Sequence, residues 1–169
     1  IALPPRREQD AIVGVITDAN AKVEALENLL AKRRAIRQGA IQRWLVPSPN
    51  WPRYKLGDVA LLKARIGWQG LTTAEYLDNG DHVLVTGTEF ENGRINWDGC
   101  HFVSAQRYDQ DRYIQIRRGD VLVTKDGTIG KVAFVDALPK PATLNSGVFV
   151  LRPTDNAILP RFLYYLLSS

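Results

Sequence analysis

The sequence has no methionine, one cysteine and two histidines in 169 residues. An open reading frame needs an initiator, and Ile1 is a poor residue to expose by trimming one, so the chain is expected to be a fragment of a longer protein. A single cysteine, Cys100, excludes an internal disulfide and fits a reducing compartment. No apolar run approaches the roughly 18 residues needed to span a bilayer. The first ten residues carry two prolines and four charged groups, which is not a secretory signal. Cytoplasm is the expected location.

Further absences concern chemistry. There is no phosphate-binding loop of the Walker type, no Asn-Pro-Pro-aromatic tetrapeptide, no Asp/Glu-x-Lys triplet and no Gly-x-Ser-x-Gly elbow. Cys100 and His101 are adjacent and His82 is distant, too few and badly spaced for zinc, so no metal site is expected and Cys100 reads as structural. Glu89 and Glu91 alternate as two carboxylates on one strand face would, the arrangement an acid–base pair needs. A solvated strand edge or turn explains them better. The chain is read as non-catalytic.

Charge is modest. The net value is +4, and its placement matters more than its size. Residues 1–46 hold eight Lys and Arg against five Asp and Glu, whereas residues 47–169 hold fourteen against thirteen. Any basic face on the second part must come from local clustering.

What is present first is a long helix, predicted from Pro5 to Leu45 and about 60 Å long at 1.5 Å per residue. Apolar or small residues fall at Ile12, Ile16, Ala19, Val23, Leu26 and Leu30, alternating steps of four and three. That is the seam of a coiled coil. Glu8 and Asp10 near its start and Lys32, Arg33, Arg34, Arg37 and Arg43 near its end suit the helix dipole. Such a seam needs a partner. With no second helix for it in the chain, Ile16, Val23 and Leu30 are expected to pair with another copy. Three prolines between Pro47 and Pro52 then form a linker.

Beyond the linker the pattern shortens. Leu56–Leu62 is a short element. Strands are predicted at 83–85, 114–116 and 147–151, the last stopped by Pro153, and a hairpin at 121–124 and 129–135 turns on Asp126-Gly127. A helix begins at Pro160. The fold class is α+β: a long coiled-coil-type helix over 1–46, then a strand-rich mixed α/β domain over 47–169 that is cut short at its C-terminus.

Candidate binding residues sit in loops. The stretch 63–70 combines Lys63, Arg65, Trp68 and Gln69 with two glycines, and Arg and Gln are side chains that read guanine and adenine edges. A surface loop with Trp68 pinned to the core is the plain alternative. The loop 125–131 offers Lys125, Thr128 and Lys131 to a phosphate or base edge, or is an ordinary turn with polar tips. Asn92 with Arg94, and Asn145 with Ser146, are tips of the same kind. Arg107, Arg112, Arg117 and Arg118 suit phosphates, although Asp109, Asp111 and Asp120 among them suit local neutralisation equally.

These pieces resemble one family. Leu3-Pro4-Pro5-Arg6-Arg7-Glu8-Gln9 is similar to the start of the conserved helix in specificity subunits of type I restriction–modification enzymes, and Lys32-Arg33-Arg34-Ala35-Ile36-Arg37-Gln38-Gly39 to its exit. Leu56-Gly57-Asp58-Val59, Arg65 to Thr72, Gly119 to Thr124, Asp126 to Val132 and Leu144 to Val148 resemble that family's target recognition domain. The resemblance implies a non-catalytic DNA reader. Two such domains are held apart by two antiparallel helices, each reading half of a split target. Modification (methyltransferase) subunits carrying S-adenosylmethionine dock on it, and a restriction subunit that uses ATP and Mg joins them, so no cofactor is expected on this chain. The first recognition domain and second helix are missing here, as in a fragment starting past the middle of its parent or derived from a half-length subunit. The competing reading is a coiled-coil scaffold without affinity for nucleic acid, and an enzyme with an unrecognised site ranks third.

Overall fold

Pro4 and Pro5 set where the first helix begins, because a proline lacks the amide that an interior helical residue donates. In the computed structural model, which describes residues 2–67, 70–154 and 157–169, helix α1 runs Arg6–Trp44. The amides of Glu8 and Gln9 donate to the Pro5 carbonyl, and Gln9 Nε2 donates to Pro4 O at 2.8 Å. The seam is open to solvent within this chain: Ile12, Ile16, Val23, Leu26 and Leu30 are all exposed. The chain divides into two compact units, Ile1–Pro47 and Ser48–Ser169.

The second unit begins with a turn in which Trp51 N donates to Ser48 O. Helix α2 (Leu56–Val59) passes directly into strand β1 (Ala60–Ala64). There follow β2 (His82–Val85), β3 (Phe90–Glu91), β4 (Arg94–Ile95), β5 (His101–Val103), helix α3 (Ala105–Asp109), β6 (Val121–Thr124), β7 (Val132–Phe134), β8 (Ala142–Leu144), β9 (Val148–Pro153) and helix α4 (Pro160–Leu167). A four-stranded antiparallel sheet has the order β1-β9-β6-β7. A three-stranded mixed sheet has the order β5-β2-β8, with β8 parallel to β2. β3 and β4 form a separate hairpin.

Side chains on a strand alternate between faces, and the four-stranded sheet is covered on both. Leu122, Ala133, Val148 and Val150 face the core that also holds Val83, Val85, Ala142 and Leu144 of the three-stranded sheet. Val121, Phe134 and Leu151 face the other way, onto Leu163 and Tyr164 of α4. Three layers result: sheet, sheet, helix. Burial on both faces explains why β6 and β9 read as unbroken apolar runs.

Three expectations need correction. Residues 114–116 are not a strand: Arg112–Ile114 is a turn of 3-10 helix whose Tyr113 amide donates to Asp111 Oδ1 at 2.8 Å, and only Gln115 bridges to Thr143. The strand predicted at 129–135 begins at Val132, with Ile129 exposed in the preceding loop. β9 is not stopped before Pro153 but includes it, because Pro153 sits at the strand's last position, opposite Ala60.

Candidate nucleic-acid interface

Strand register decides which loops meet. Ala64 lies opposite Phe149, Thr124 opposite Val148, and Val123 opposite Val132. The end of β1, the start of β9, the end of β6 and the start of β7 therefore share one end of the four-stranded sheet. In the second sheet Val85 lies beside Leu144, and the chain runs from Leu144 through Asn145–Gly147 into β9. The loops after β1, β2, β6 and β8 thus converge. Backbone bonds tie them together: Lys125 N donates to Gly147 O and Asn145 N to Val85 O, both at 2.9 Å.

The loop 125–131 is held by Thr124. Its hydroxyl donates to Thr128 O at 2.5 Å and accepts from Lys131 N at 3.0 Å, while Gly130 N donates to Thr124 O at 2.9 Å. Positive φ at Gly127 (63°) and Gly130 (85°) lets the chain close. The connection is thus a seven-residue pinned loop, 125–131, rather than the four-residue turn around Asp126-Gly127 expected between 124 and 129. Thr128 and Lys131 are exposed, and Lys125 Nζ lies 5.4 Å from the Phe149 ring centroid. Lys63, exposed on β1 one residue before this end, lies 5.3 Å over Tyr113.

Arg65 is not a loop tip. It is 1% exposed, and its guanidinium donates to Leu144 O (Nε, 2.8 Å), Thr143 Oγ1 (Nη2, 3.2 Å) and Gln110 Oε1 (Nη1, 3.3 Å). Burial, and then the neighbouring Arg107 charge, push its pKa below the ordinary arginine value. It fastens β1 to β8 and has no free donor face for a base. Asn145 is half-buried and its amide is engaged: Nδ2 donates to Tyr76 Oη at 2.7 Å and Oδ1 accepts from Ser146 N at 2.8 Å. It shapes the tip more than it offers one. Asn92 and Arg94 lie elsewhere. Their hairpin packs at the other end of β7, where Phe134 N donates to Gly93 O, and Arg94 Nε is 3.6 Å from Asp136 Oδ2. Trp68 and Gln69 lie outside the described residues. Of the expected DNA-contacting residues, Lys125, Thr128, Lys131, Asn145 and Ser146 lie on the joined loops at this sheet end, whereas Lys63 is on β1, opposite Val150 and on the other face from Phe149.

The family model of the type I restriction modification DNA specificity domain matches residues 49–169. The chain belongs to that family. The solved structures agree in fold. An HsdS subunit from Thermoanaerobacter tengcongensis is similar at 23% identity and a TM-score of 0.58, over 98% of this chain and 41% of that one. The S subunit of a type I restriction–modification system from M. genitalium gives 16% and 0.60, over 96% and 41%. A chain from a structure describing complex assembly and conformational transition of the type I R-M system gives 21% and 0.59, over 98% and 42%. The chain therefore spans about two-fifths of the length of these solved relatives. None of the curated proteins matches it.

Within the specificity domain the other charged groups sort by partner. Arg107 bonds to Glu75 through Nε (2.7 Å) and Nη2 and to Gln110 through Nη1 (3.0 Å), so its counter-charge is Glu75 and not the aspartates near it in sequence. Asp120 is 1% exposed and accepts from Arg152 Nε and Nη2 at 2.8 and 2.7 Å and from Arg117 N at 2.7 Å. Arg112, Arg117 and Arg118 are exposed and make no ion pair among the described residues. Cys100 is buried, its thiol pushed up to about 12 by burial and by Glu89 and Asp98 nearby, so it stays protonated and inert. Among the described residues no group of three or more His, Cys, Asp or Glu side chains is placed to hold a metal ion.

Glu89 is not solvated, as the alternation with Glu91 suggested. It is 6% exposed and closes the turn after β2, accepting from Thr86 N (3.0 Å), Gly87 N (3.1 Å) and the hydroxyls of Thr86 (2.8 Å) and Thr88 (2.6 Å). Burial pushes its pKa up, but these donors outweigh it and hold the carboxyl below its ordinary value. An unfolded glutamate titrates at about 4.3. The stabilisation is therefore complete above that pH and is lost as pH falls through the lower folded value. Glu89→Gln is expected to be less stable than the wild type at about pH 7, with the gap closing toward about pH 3, in urea denaturation. An equal gap at both pH values would mean that the carboxylate charge contributes nothing to the turn.

Proposed function

We propose that the specificity domain reads double-stranded DNA with the loops gathered at this end of the four-stranded sheet. The observation that carries the reading is the gathering of Lys125 and Lys131 with the hydroxyls of Thr128 and Ser146, on loops tied to one another through backbone bonds. The lysines neutralise phosphates and fix register, while Thr128 and Ser146 reach base edges. Family membership supports this assignment over that of a scaffold, whose main support is the near-neutral charge of residues 47–169. In the larger assembly we assign this chain the role of a specificity subunit without catalysis of its own. Methyltransferase and restriction subunits supply S-adenosylmethionine, ATP and Mg, and α1 acts as the spacer, its exposed seam packed by a second helix of the same kind, from another copy or from the parent subunit.

Duplex binding measured across a salt series tests this. A reader that neutralises several phosphates loses affinity steeply between about 50 and 200 mM salt, with a log–log slope of about −0.9 per phosphate. Lys131→Ala and Lys125→Ala are each expected to weaken binding several-fold and to reduce the slope by about one. A wild-type affinity that ignores salt, or is absent for every duplex in a random library, would favour the scaffold.

A further inference from the structure

Ile129 is 75% exposed, as Leu159 is, more than the other large apolar side chains described in Ser48–Ser169. Single exposed apolar residues are ordinary on a protein surface, so exposure alone carries nothing. Its setting is what separates it. The residues around Ile129 are fixed: Thr128 O, Gly130 N and Lys131 N are all bonded to Thr124, at 2.5, 2.9 and 3.0 Å. The side chain is presented by a pinned backbone at the tip of loop 125–131. Lys125 and Lys131 flank it along that loop, and the loops at the same sheet end carry Thr128 and Ser146. An apolar tip between two cations is matched to a polyanion that also has apolar surface within reach of its charged groups. A DNA duplex has that character, with base faces, thymine methyls and deoxyribose lying between phosphates. An acidic protein surface would meet the lysines but gives no reason for the Thr128 and Ser146 hydroxyls beside them.

We propose that Ile129 is an apolar DNA contact, packing against a base or sugar while Lys125 and Lys131 hold the flanking phosphates. This rests on the DNA-reading assignment above and adds to it a term independent of charge. Three consequences separate it from a further phosphate contact. Ile129→Ser keeps the loop's charge, so it weakens binding equally at every salt concentration and leaves the salt slope unchanged. Ile129→Leu keeps the apolar surface and restores binding. Because the side chain is already exposed, neither change shifts the urea midpoint.

The test uses this chain and a short duplex of the sequence it enriches most from a random library, with no other protein present. Ile129→Ser is expected to lose about tenfold in affinity with the slope of the wild type, Ile129→Leu to stay within about twofold, and Lys131→Ala to change the slope. Wild-type binding with Ile129→Ser indistinguishable from it overturns the contact while leaving the DNA-reading assignment intact. The same holds if the serine variant lowers the slope as Lys131→Ala does. Failure of the wild type to enrich or bind any duplex overturns both.

Discussion

Arg65→Ala is expected to lower the free energy of unfolding by about 3–5 kcal/mol, the range of large-to-small changes and broken polar contacts at fully buried sites. Two losses add. The guanidinium fills space between β1, β8 and the loop after α3, and alanine leaves most of that space empty. It also satisfies Leu144 O and Thr143 Oγ1, both on fully buried residues, and an acceptor stranded there costs about 1–3 kcal/mol. One term opposes them. The three partners of Arg65 are neutral groups, so the wild type carries a buried cation without a contacting carboxylate among the described residues, and removing the charge relieves that penalty. Arg65→Met separates the terms, because it keeps most of the volume and drops the charge. Urea denaturation should rank wild type above Met and Met above Ala. An Ala variant with the midpoint of the wild type would mean that Arg65 is not the interior fastener described above.

That residue also marks where sequence reasoning stops. An arginine beside glycines and an aromatic in an apparent loop reads as an exposed tip, and nothing within several residues says otherwise. Its partners Leu144, Thr143 and Gln110 lie 79, 78 and 45 positions away. Tyr76, which engages Asn145, lies 69 positions from it. Such contacts exist only after two sheets have packed, so a local pattern cannot carry them. That Lys125, Thr128 and Lys131 lie in a loop was legible from its two glycines, and Thr128 and Lys131 are exposed there, whereas Lys125 is half-buried beside Phe149. Glu89 held a readable signal that alternation with Glu91 obscured. Thr86-x-x-Glu89 has the spacing of a capping box, and Thr86 N does donate to Glu89 Oε2.

The elements divide the same way. The long helix was legible from its prolines and from steps of four and three sustained over nearly three heptads. α4 was legible from Pro160, which sits in its first turn. β8 is three residues, all buried, too short to show a period. β3 and β4 are two residues each, yet Asn92-Gly93 between Phe90 and Ile95 is the strongest short hairpin signal a sequence can carry, and reading it as a polar tip missed the turn. Asn92 and Gly93 take φ of 51° and 78°, the left-handed pair such a turn demands.

The same turn yields the second large effect. Gly93→Ala is expected to cost about 3 kcal/mol, and Gly127→Ala only about 1, although both glycines have positive φ. The backbone strain of placing a side chain there is similar at the two sites. The surroundings differ. A Cβ on Gly127 meets nothing within 4 Å, whereas one on Gly93 overlaps the Tyr164 hydroxyl and comes within 3.0 Å of its Cζ. Tyr164 cannot swing aside: it is 8% exposed, with its ring centroid 5.9 Å from Phe134 and 5.2 Å from Tyr165. Relief therefore requires α4 to move off the sheet. Function should divide the other way. Gly127 lies in the loop that presents Lys125, Ile129 and Lys131, so its alanine variant disturbs duplex binding at little cost in stability. Gly93 lies at the opposite end of β7, so its alanine variant, measured where it is still folded, binds the duplex as the wild type does. Equal losses of stability at the two positions would remove the close packing of α4 against the β3–β4 turn, and loss of binding by folded Gly93→Ala would move the interface to that end of the sheet.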